Sequence, residues 1–142
     1  MPWLIDGSNV LGAMHVDRHG EESKRGLVRL LAGFARLKRT RVTCVFDGPE
    51  PPSFARHLGA VMVAFSGHRS ADELIVERAA NGRGWSVVTS DRGLMARVQR
   101  RHVEIVTPAA FLLEMEAAGN DEEGGGGEWD AYFSDPKNRL KF

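Results

Sequence analysis

The sequence predicts an α/β domain with three layers, α/β/α, in which helices cover both faces of a central, mainly parallel five-stranded sheet. Short apolar runs of strand length alternate with longer segments of helical period, and this alternation is typical of parallel sheets. The length of 142 residues fits one domain of ordinary size. Three of the predicted strands end in an aspartate or are followed at once by one, as expected where a buried strand reaches the surface.

The five strands are predicted from apolar runs bounded by turn-forming residues. They are expected at residues 2–6, 41–46, 60–65, 85–90 and 103–106. The segment Gly7-Ser8-Asn9 is predicted as the turn after the first strand, since these residue types favour turns.

Four helices are predicted from apolar residues at helical spacing, at 22–39, 70–80, 91–100 and 108–118. The first places Leu27, Leu30, Leu31 and Phe34 on one face. Together these elements assign residues 1–118 to the domain. Residues 119–142 are predicted as an acidic, glycine-rich linker with an aromatic tail, which either docks on the domain, binds a protein partner or stays disordered.

Charge is distributed unevenly although the formal net charge is zero. Residues 24–41 contain seven basic and no acidic residues, whereas residues 114–135 contain eight acidic and no basic ones. The basic segments are either solvated helix faces or a track for the phosphates of RNA. The candidate RNA-binding residues are Arg25, Arg29, Arg36, Lys38, Arg69, Arg92 and Arg97.

The single cysteine, Cys44, lies in a predicted strand and is expected to be a small core residue in a reducing compartment. No apolar run approaches the ~20 residues that span a membrane, and no signal segment is recognisable at the N-terminus. We therefore expect a cytoplasmic protein with no membrane partner, and a homo-oligomer remains open.

Four aspartates carry the functional prediction: Asp6, Asp47, Asp72 and Asp91. Three of them lie at the ends of predicted strands: Asp6, Asp47 and Asp91. Asp72 lies in the first turn of a predicted helix. All four are therefore expected at the carboxyl edge of the sheet, where ligands bind. Each alone is explained equally by turn or capping chemistry. Two carboxylates 4 Å apart repel by ~4 kcal/mol at an effective dielectric near 20, so a cluster favours a bound divalent cation such as Mg²⁺ or Mn²⁺.

Several polar residues are candidates for supporting this site: Ser8, Asn9, Ser70, Glu73, Thr89 and Ser90. We predict that the amide of Asn9 bonds a carboxylate or orients a water at the site. Ser70 and Glu73 have the spacing of a capping box. Thr89 and Ser90 either cap the next helix or hold water and phosphate oxygens.

Four segments together resemble the NYN domain, in the YacP-like branch of the PIN-like ribonuclease superfamily. They are Ile5-Asp6-Gly7-Ser8-Asn9-Val10, Val45-Phe46-Asp47-Gly48, Ser70-Ala71-Asp72-Glu73-Leu74-Ile75 and Val88-Thr89-Ser90-Asp91. The resemblance implies a PIN-like fold and Mg²⁺- or Mn²⁺-dependent endonucleolytic cleavage of RNA. It also implies that the four aspartates are catalytic residues and metal ligands, with Asn9 as the polar catalytic residue.

Other functions remain open at this stage. A PIN-like module that binds RNA without cleaving it would use the acids structurally or hold a metal without turnover. A toxin-type nuclease would be controlled by an antitoxin, and a structure-specific DNA nuclease would use the same site on DNA. Phosphate-loop and dinucleotide-binding motifs are absent from the sequence, which disfavours kinase-like and dinucleotide-dependent enzymes.

Overall fold

A computed structural model describes residues 2–81, 84–99 and 103–121. The strands in these ranges are β1 (Trp3–Asp6), β2 (Val42–Phe46), β3 (His57–Leu58), β4 (Val61–Phe65), β5 (Ser86–Val88) and β6 (Glu104–Val106). The helices are α1 (Gly7–Ala13), α2 (Glu21–Lys38), α3 (Ala71–Ala80), α4 (Arg92–Val98) and α5 (Pro108–Asp121).

The strands form one sheet in the order β3-β4-β2-β1-β5-β6. All neighbouring strands are parallel except β3 and β4, which are antiparallel. The chain moves from β1 to β2 and β4 on one side and then returns to β5 on the other side of β1. Such a reversal of strand order opens a crevice at the carboxyl ends of the strands. The predicted α/β class with a mainly parallel sheet is confirmed.

Helices bury both faces of the sheet, because side chains alternate between the two faces along each strand. Ile5 and Cys44 belong to the core under α1, α2 and α5. Leu4 and Val45 belong to a second core under α3 and α4. The three-layer arrangement and the buried position of Cys44 therefore match the sequence prediction.

The prediction of five strands is wrong by one, since the described residues form six. The missed strand, β3, consists of two exposed residues that pair with the edge of β4. Two residues are too few to show a periodic pattern in the sequence, so this strand is recognised only by its pairing with β4.

The segment predicted as a turn after β1 is instead the first turn of α1. Asp6 caps this helix through its side chain. A Cβ at position 7 would lie 2.5 Å from the buried ring of Phe46, so Gly7 is needed because α1 begins in direct contact with β2. This close approach depends on tertiary packing and is invisible in a local turn pattern.

The last helix continues to Asp121, past the boundary predicted after residue 118. The remainder of the predicted linker and tail, residues 122–142, lies outside the described residues. In the described parts of the chain, no helix is both long enough and apolar enough to cross a membrane.

Candidate active site

The four candidate aspartates converge at the carboxyl edge of the sheet. β2, β1 and β5 are neighbours there, and Asp47, Asp6 and Asp91 follow or end these strands. Asp72 reaches the same edge from the first turn of α3. The negative charges of Asp72, Asp47 and Asp91 all raise the pKa of Asp6, which shows that the four carboxylates share one electrostatic environment.

Asp6 is the most deeply buried of these groups, with 2% of its surface exposed. It accepts a hydrogen bond from the backbone N–H of Asn9 at 3.3 Å, as the cap of α1. Burial raises the pKa of Asp6, the bond from Asn9 lowers it, and the neighbouring aspartates raise it further, to about 7. Without a cation, this carboxyl is therefore near half-protonation at neutral pH.

Asp72 and Asp91 lie close enough for each carboxyl group to shift the pKa of the other, so they titrate as a pair. Burial and the interaction with Asp91 raise the pKa of Asp72. The backbone N–H of Leu94 and the interaction with Asp72 lower the pKa of Asp91.

Asp47 connects the end of β2 to the start of α3. Its Oδ1 accepts the backbone N–H of Ala71 at 2.8 Å, beside Asp72. The following turn, with Gly48 at a φ of 93°, is held by a bond from the Gly48 N–H to the hydroxyl of Ser66 at 3.0 Å. Asp47 thus positions the helix that carries Asp72.

Asn9 has a different partner from the one predicted. Its backbone N–H bonds Asp6, but its side-chain Oδ1 accepts the N–H and hydroxyl of Ser90, each at 2.7 Å, and the hydroxyl of Thr89 at 3.2 Å. Thr89 Oγ1 in turn accepts the backbone N–H of Asp91 at 3.1 Å. These hydrogen bonds connect α1 to the end of β5, and they fix the positions of Asp6 and Asp91 relative to each other.

The other supporting candidates lie on helix starts. Ser70 caps α3 by accepting the backbone N–H of Glu73 at 3.3 Å, which confirms half of the predicted capping box. The carboxylate of Glu73 bonds Arg69 at 3.1 Å on the exposed surface of α3. Ser8 is the second residue of α1 and is half-buried.

Two of the predicted RNA-binding arginines are already paired. Arg25 forms an ion pair with Glu21 at 2.9 Å and lies over the ring of Phe54. Arg69 pairs with Glu73 and Glu77. Arg25 and Arg69 therefore bind phosphate only if it displaces a glutamate, which the sequence pattern did not reveal.

The remaining basic candidates are divided between the two edges of the sheet. Arg97 is close enough to Asp72 and Asp91 to lower the pKa of both, and Arg92 is exposed at the start of α4. Arg36 and Lys38 lie in the last turn of α2, at the opposite edge, and Arg29 is exposed midway. The basic run of α2 therefore does not flank the aspartates as a whole.

Lys24 is a candidate that sequence reasoning counted in the basic run but did not assign to the site. Its Nζ lies 5.8 Å from the ring centroids of both Phe46 and Phe65. These rings end β2 and β4, and Phe46 directly precedes Asp47. The ammonium group is thus beside the acidic edge, and only the tertiary contact between α2 and the strand ends identifies it.

The donor set fits a hard divalent cation in its chemistry, because all four groups are carboxylates. The pKa values of Asp6 and Asp72 are raised first by burial and then by the neighbouring carboxylates, and a cation would relieve both effects. Within the described residues, no group of three or more His, Cys, Asp or Glu side chains is close enough to form a ready-made metal site. Binding would therefore draw the carboxylates together.

Comparison with known proteins is consistent with this geometry. A family model described as the YacP-like NYN domain matches residues 3–132. The chain is similar in structure to Rae1 (YacP) from Bacillus subtilis, with a TM-score of 0.69 and 23% identity over 84% of this chain and 76% of that one. The W164L mutant of the same protein gives a TM-score of 0.71 and 24% identity over 84% and 77% of the two chains. No curated protein matches this chain.

Proposed function

The chain belongs to the YacP-like NYN domain family, and we propose that it is a metal-dependent endoribonuclease that hydrolyses phosphodiester bonds at its acidic edge. The family has a PIN-like fold and is of the nuclease type. The observation that carries the proposal is the convergence of four carboxylates, among which burial and then the charges of Asp72, Asp47 and Asp91 raise the pKa of Asp6 to about 7. Such strongly perturbed groups in one crevice are typical of functional sites.

In this proposal Asp6, Asp47, Asp72 and Asp91 hold Mg²⁺ or Mn²⁺. The cation would supply a Lewis acid that lowers the pKa of water and stabilises negative charge on the phosphate. The fold positions these ligands, because Asp6 is bonded to the start of α1 and Asp47 to the start of α3. Because the pKa of Asp6 is raised to about 7, cation binding is expected to release a proton when this carboxyl becomes a ligand.

Basic side chains near the aspartates would hold the substrate. Lys24 and Arg97 are placed beside the acidic edge by their contacts with Phe46 and with the charges of Asp72 and Asp91. Cations at these positions offset the repulsion between the phosphates of RNA and the carboxylates. The buried free thiol of Cys44 supports the further expectation that the protein acts in the reducing cytoplasm.

The test is cleavage of labelled RNA by the wild type and by Asp6→Asn and Asp91→Asn, with Mg²⁺, Mn²⁺ or EDTA. Asparagine keeps the capping bonds at both positions but removes the charge. We expect cleavage only with the metals and a loss of at least about 100-fold in either variant, the scale of losing a main electrostatic contribution. Asp17→Asn is the matched control, since Asp17 is exposed and also accepts a backbone N–H. Equal activity in all four proteins would refute the site.

One observation favours a second candidate, a module that binds RNA without cleaving it. In the described residues, no three potential ligands are close enough for a metal site. This candidate predicts no cleavage with any divalent cation, together with RNA binding that persists or improves in Asp6→Asn because repulsion of phosphate falls. Measuring binding and cleavage on the same RNA, beside DNA of the same sequence, separates the two candidates and defines the substrate class.

A further inference from the structure

An open cleft of about 950 Å³ lies at the edge of the sheet opposite the aspartates. It is bordered by the end of α2 and the beginnings of β1, β2 and β4. Its charged lining residues are Arg36, Arg39, Arg41 and Arg78, and none of its lining residues among those the structure describes is acidic. The cleft is therefore strongly positive in a chain whose formal net charge is zero.

In the part of the chain that the structure describes, these four arginines have no acidic partner, unlike three other arginines on the surface. Arg25, Arg56 and Arg69 each form an ion pair with a glutamate. Within the described ranges, no ion pair involves Arg36, Arg39, Arg41 or Arg78. Four guanidinium groups without carboxylates around one cleft repel one another, and an anionic partner with several charges would relieve this repulsion.

Arg39 occupies a backbone position for which glycine is the favoured residue. It ends α2 with a φ of 51° and a ψ of 51°, in the left-handed conformation. Glycine is favoured at such helix ends because it has no Cβ to clash. The left-handed backbone itself therefore does not favour arginine at this position, and the exposed side chain of Arg39 borders the cleft.

The cleft also offers apolar surface beside the charges. Trp85 and Met62 line it, and Met62 is 37% exposed. Cationic groups beside aromatic and apolar side chains form the combination that holds single-stranded nucleic acids, where phosphates bind the cations and bases stack on the flat surfaces. An acidic peptide would use the charges but would have less use for a stacking surface.

We propose that this cleft is a second RNA-binding site, which holds the strand that is cleaved at the acidic edge; this rests on the proposed function. Lys24, at the acidic edge, and Arg36, at the cleft, are 12 residues apart on α2, which is about 18 Å along the helix. At ~3.4 Å per phosphate along one strand, this span corresponds to about five phosphates. RNA of three nucleotides is too short to reach both sites, whereas RNA of 12 nucleotides is long enough.

The experiment measures binding of fluorescent single-stranded RNA of three and 12 nucleotides to the full chain in EDTA, where no metal-dependent cleavage occurs. The triple variant Arg36→Gln, Arg41→Gln, Arg78→Gln is compared with Arg56→Gln, whose arginine is already neutralised by Glu50. We expect the triple variant to bind both RNAs more weakly, and by at least tenfold for the longer RNA, which makes more contacts with the cleft. The slope of log K against log salt should fall by about two, from ~0.7 per lost phosphate contact.

Arg39→Gly separates binding from folding. We expect a higher melting temperature, since glycine suits the left-handed backbone, together with weaker binding of the longer RNA. If the triple variant binds the longer RNA as Arg56→Gln does, the proposal is overturned, and the cleft is left to another anionic partner such as the acidic segment 122–135. That result would not contradict the proposed nuclease activity, because binding is measured here under conditions without cleavage.

Discussion

Replacing Asp6 by asparagine should stabilise the metal-free protein at alkaline pH. The pKa of Asp6 rises from its ordinary value of 3.8 to about 7 in the folded state. A carboxyl group with a raised pKa favours folding when protonated, so stability is greatest below its unfolded pKa and falls as pH rises through its folded pKa. At ~1.36 kcal/mol per pH unit, the difference corresponds to about 4 kcal/mol of lost stability above pH 7. Asparagine cannot ionise and avoids this loss.

The assay is urea denaturation of the wild type and Asp6→Asn in EDTA across this pH range. The variant should exceed the wild type by up to about 4 kcal/mol near pH 8 and by little near pH 4, because the wild-type carboxyl is protonated there. Asp17→Asn, at an exposed position, should show no comparable trend. A difference in the free energy of unfolding that stays constant across pH, or a variant that is less stable near pH 8, would refute the assignment of Asp6 as a buried carboxyl group with a raised pKa.

Adding Mg²⁺ or Mn²⁺ extends the same measurement to the proposed cofactor. A cation that binds only the folded state stabilises it by RT ln(1 + [L]/Kd). It should restore stability to the wild type near neutral pH and have little effect on Asp6→Asn. Equal stabilisation of both proteins would mean that the cation binds somewhere other than the aspartate cluster.

Three further substitutions test how the site is held together. Gly7→Ala should destabilise the fold by about 1–3 kcal/mol, because its Cβ would lie 2.5 Å from the ring of Phe46; thermal unfolding measures this. Asn9→Ala should cost about 1–3 kcal/mol by leaving the fully buried hydroxyl of Thr89 without its acceptor, and it should lower RNA cleavage as well. Ser70→Ala should cost ~1 kcal/mol as a lost helix cap.

Two of these substitutions have a matched control. Gly26→Ala meets nothing closer than 3.9 Å, so it should stabilise α2 by about 0.5–1 kcal/mol. Ser70→Asp keeps the capping acceptor and should retain most of the stability. An Asn9→Ala protein with wild-type unfolding and cleavage would show that the link between α1 and β5 is dispensable.

The positions of the four aspartates could be inferred before any coordinates because they depend on local signals. Apolar runs mark buried strands, and a polar residue must follow where the strand leaves the core. In a parallel sheet with right-handed connections, these ends share one edge. Asp6, Asp47 and Asp91 were therefore predictable as neighbours, although far apart in the chain, and Ser70 was predictable as a cap from its spacing to Glu73.

The partners of charged and amide side chains were not predictable in the same way. Asn9 was expected to face the carboxylates, yet its side chain binds Thr89 and Ser90, about 80 residues away. A short polar group has several possible partners, and the packing of α1 against β5 selects one of them. For the same reason the pattern could not show that Arg69 is neutralised by two glutamates.

The sequence by itself determined the α/β class, the main strands and helices, and the acidic edge, because these follow from periodic burial and the chemistry of strand and helix ends. Only the tertiary structure decided which charged side chains pair with one of opposite sign and which do not. The arginines at the far edge, which have no acidic partner among the described residues, and Lys24 beside Phe46 are identified only once the helices are packed on the sheet. Side-chain pairing depends on distances in space rather than on spacing along the chain.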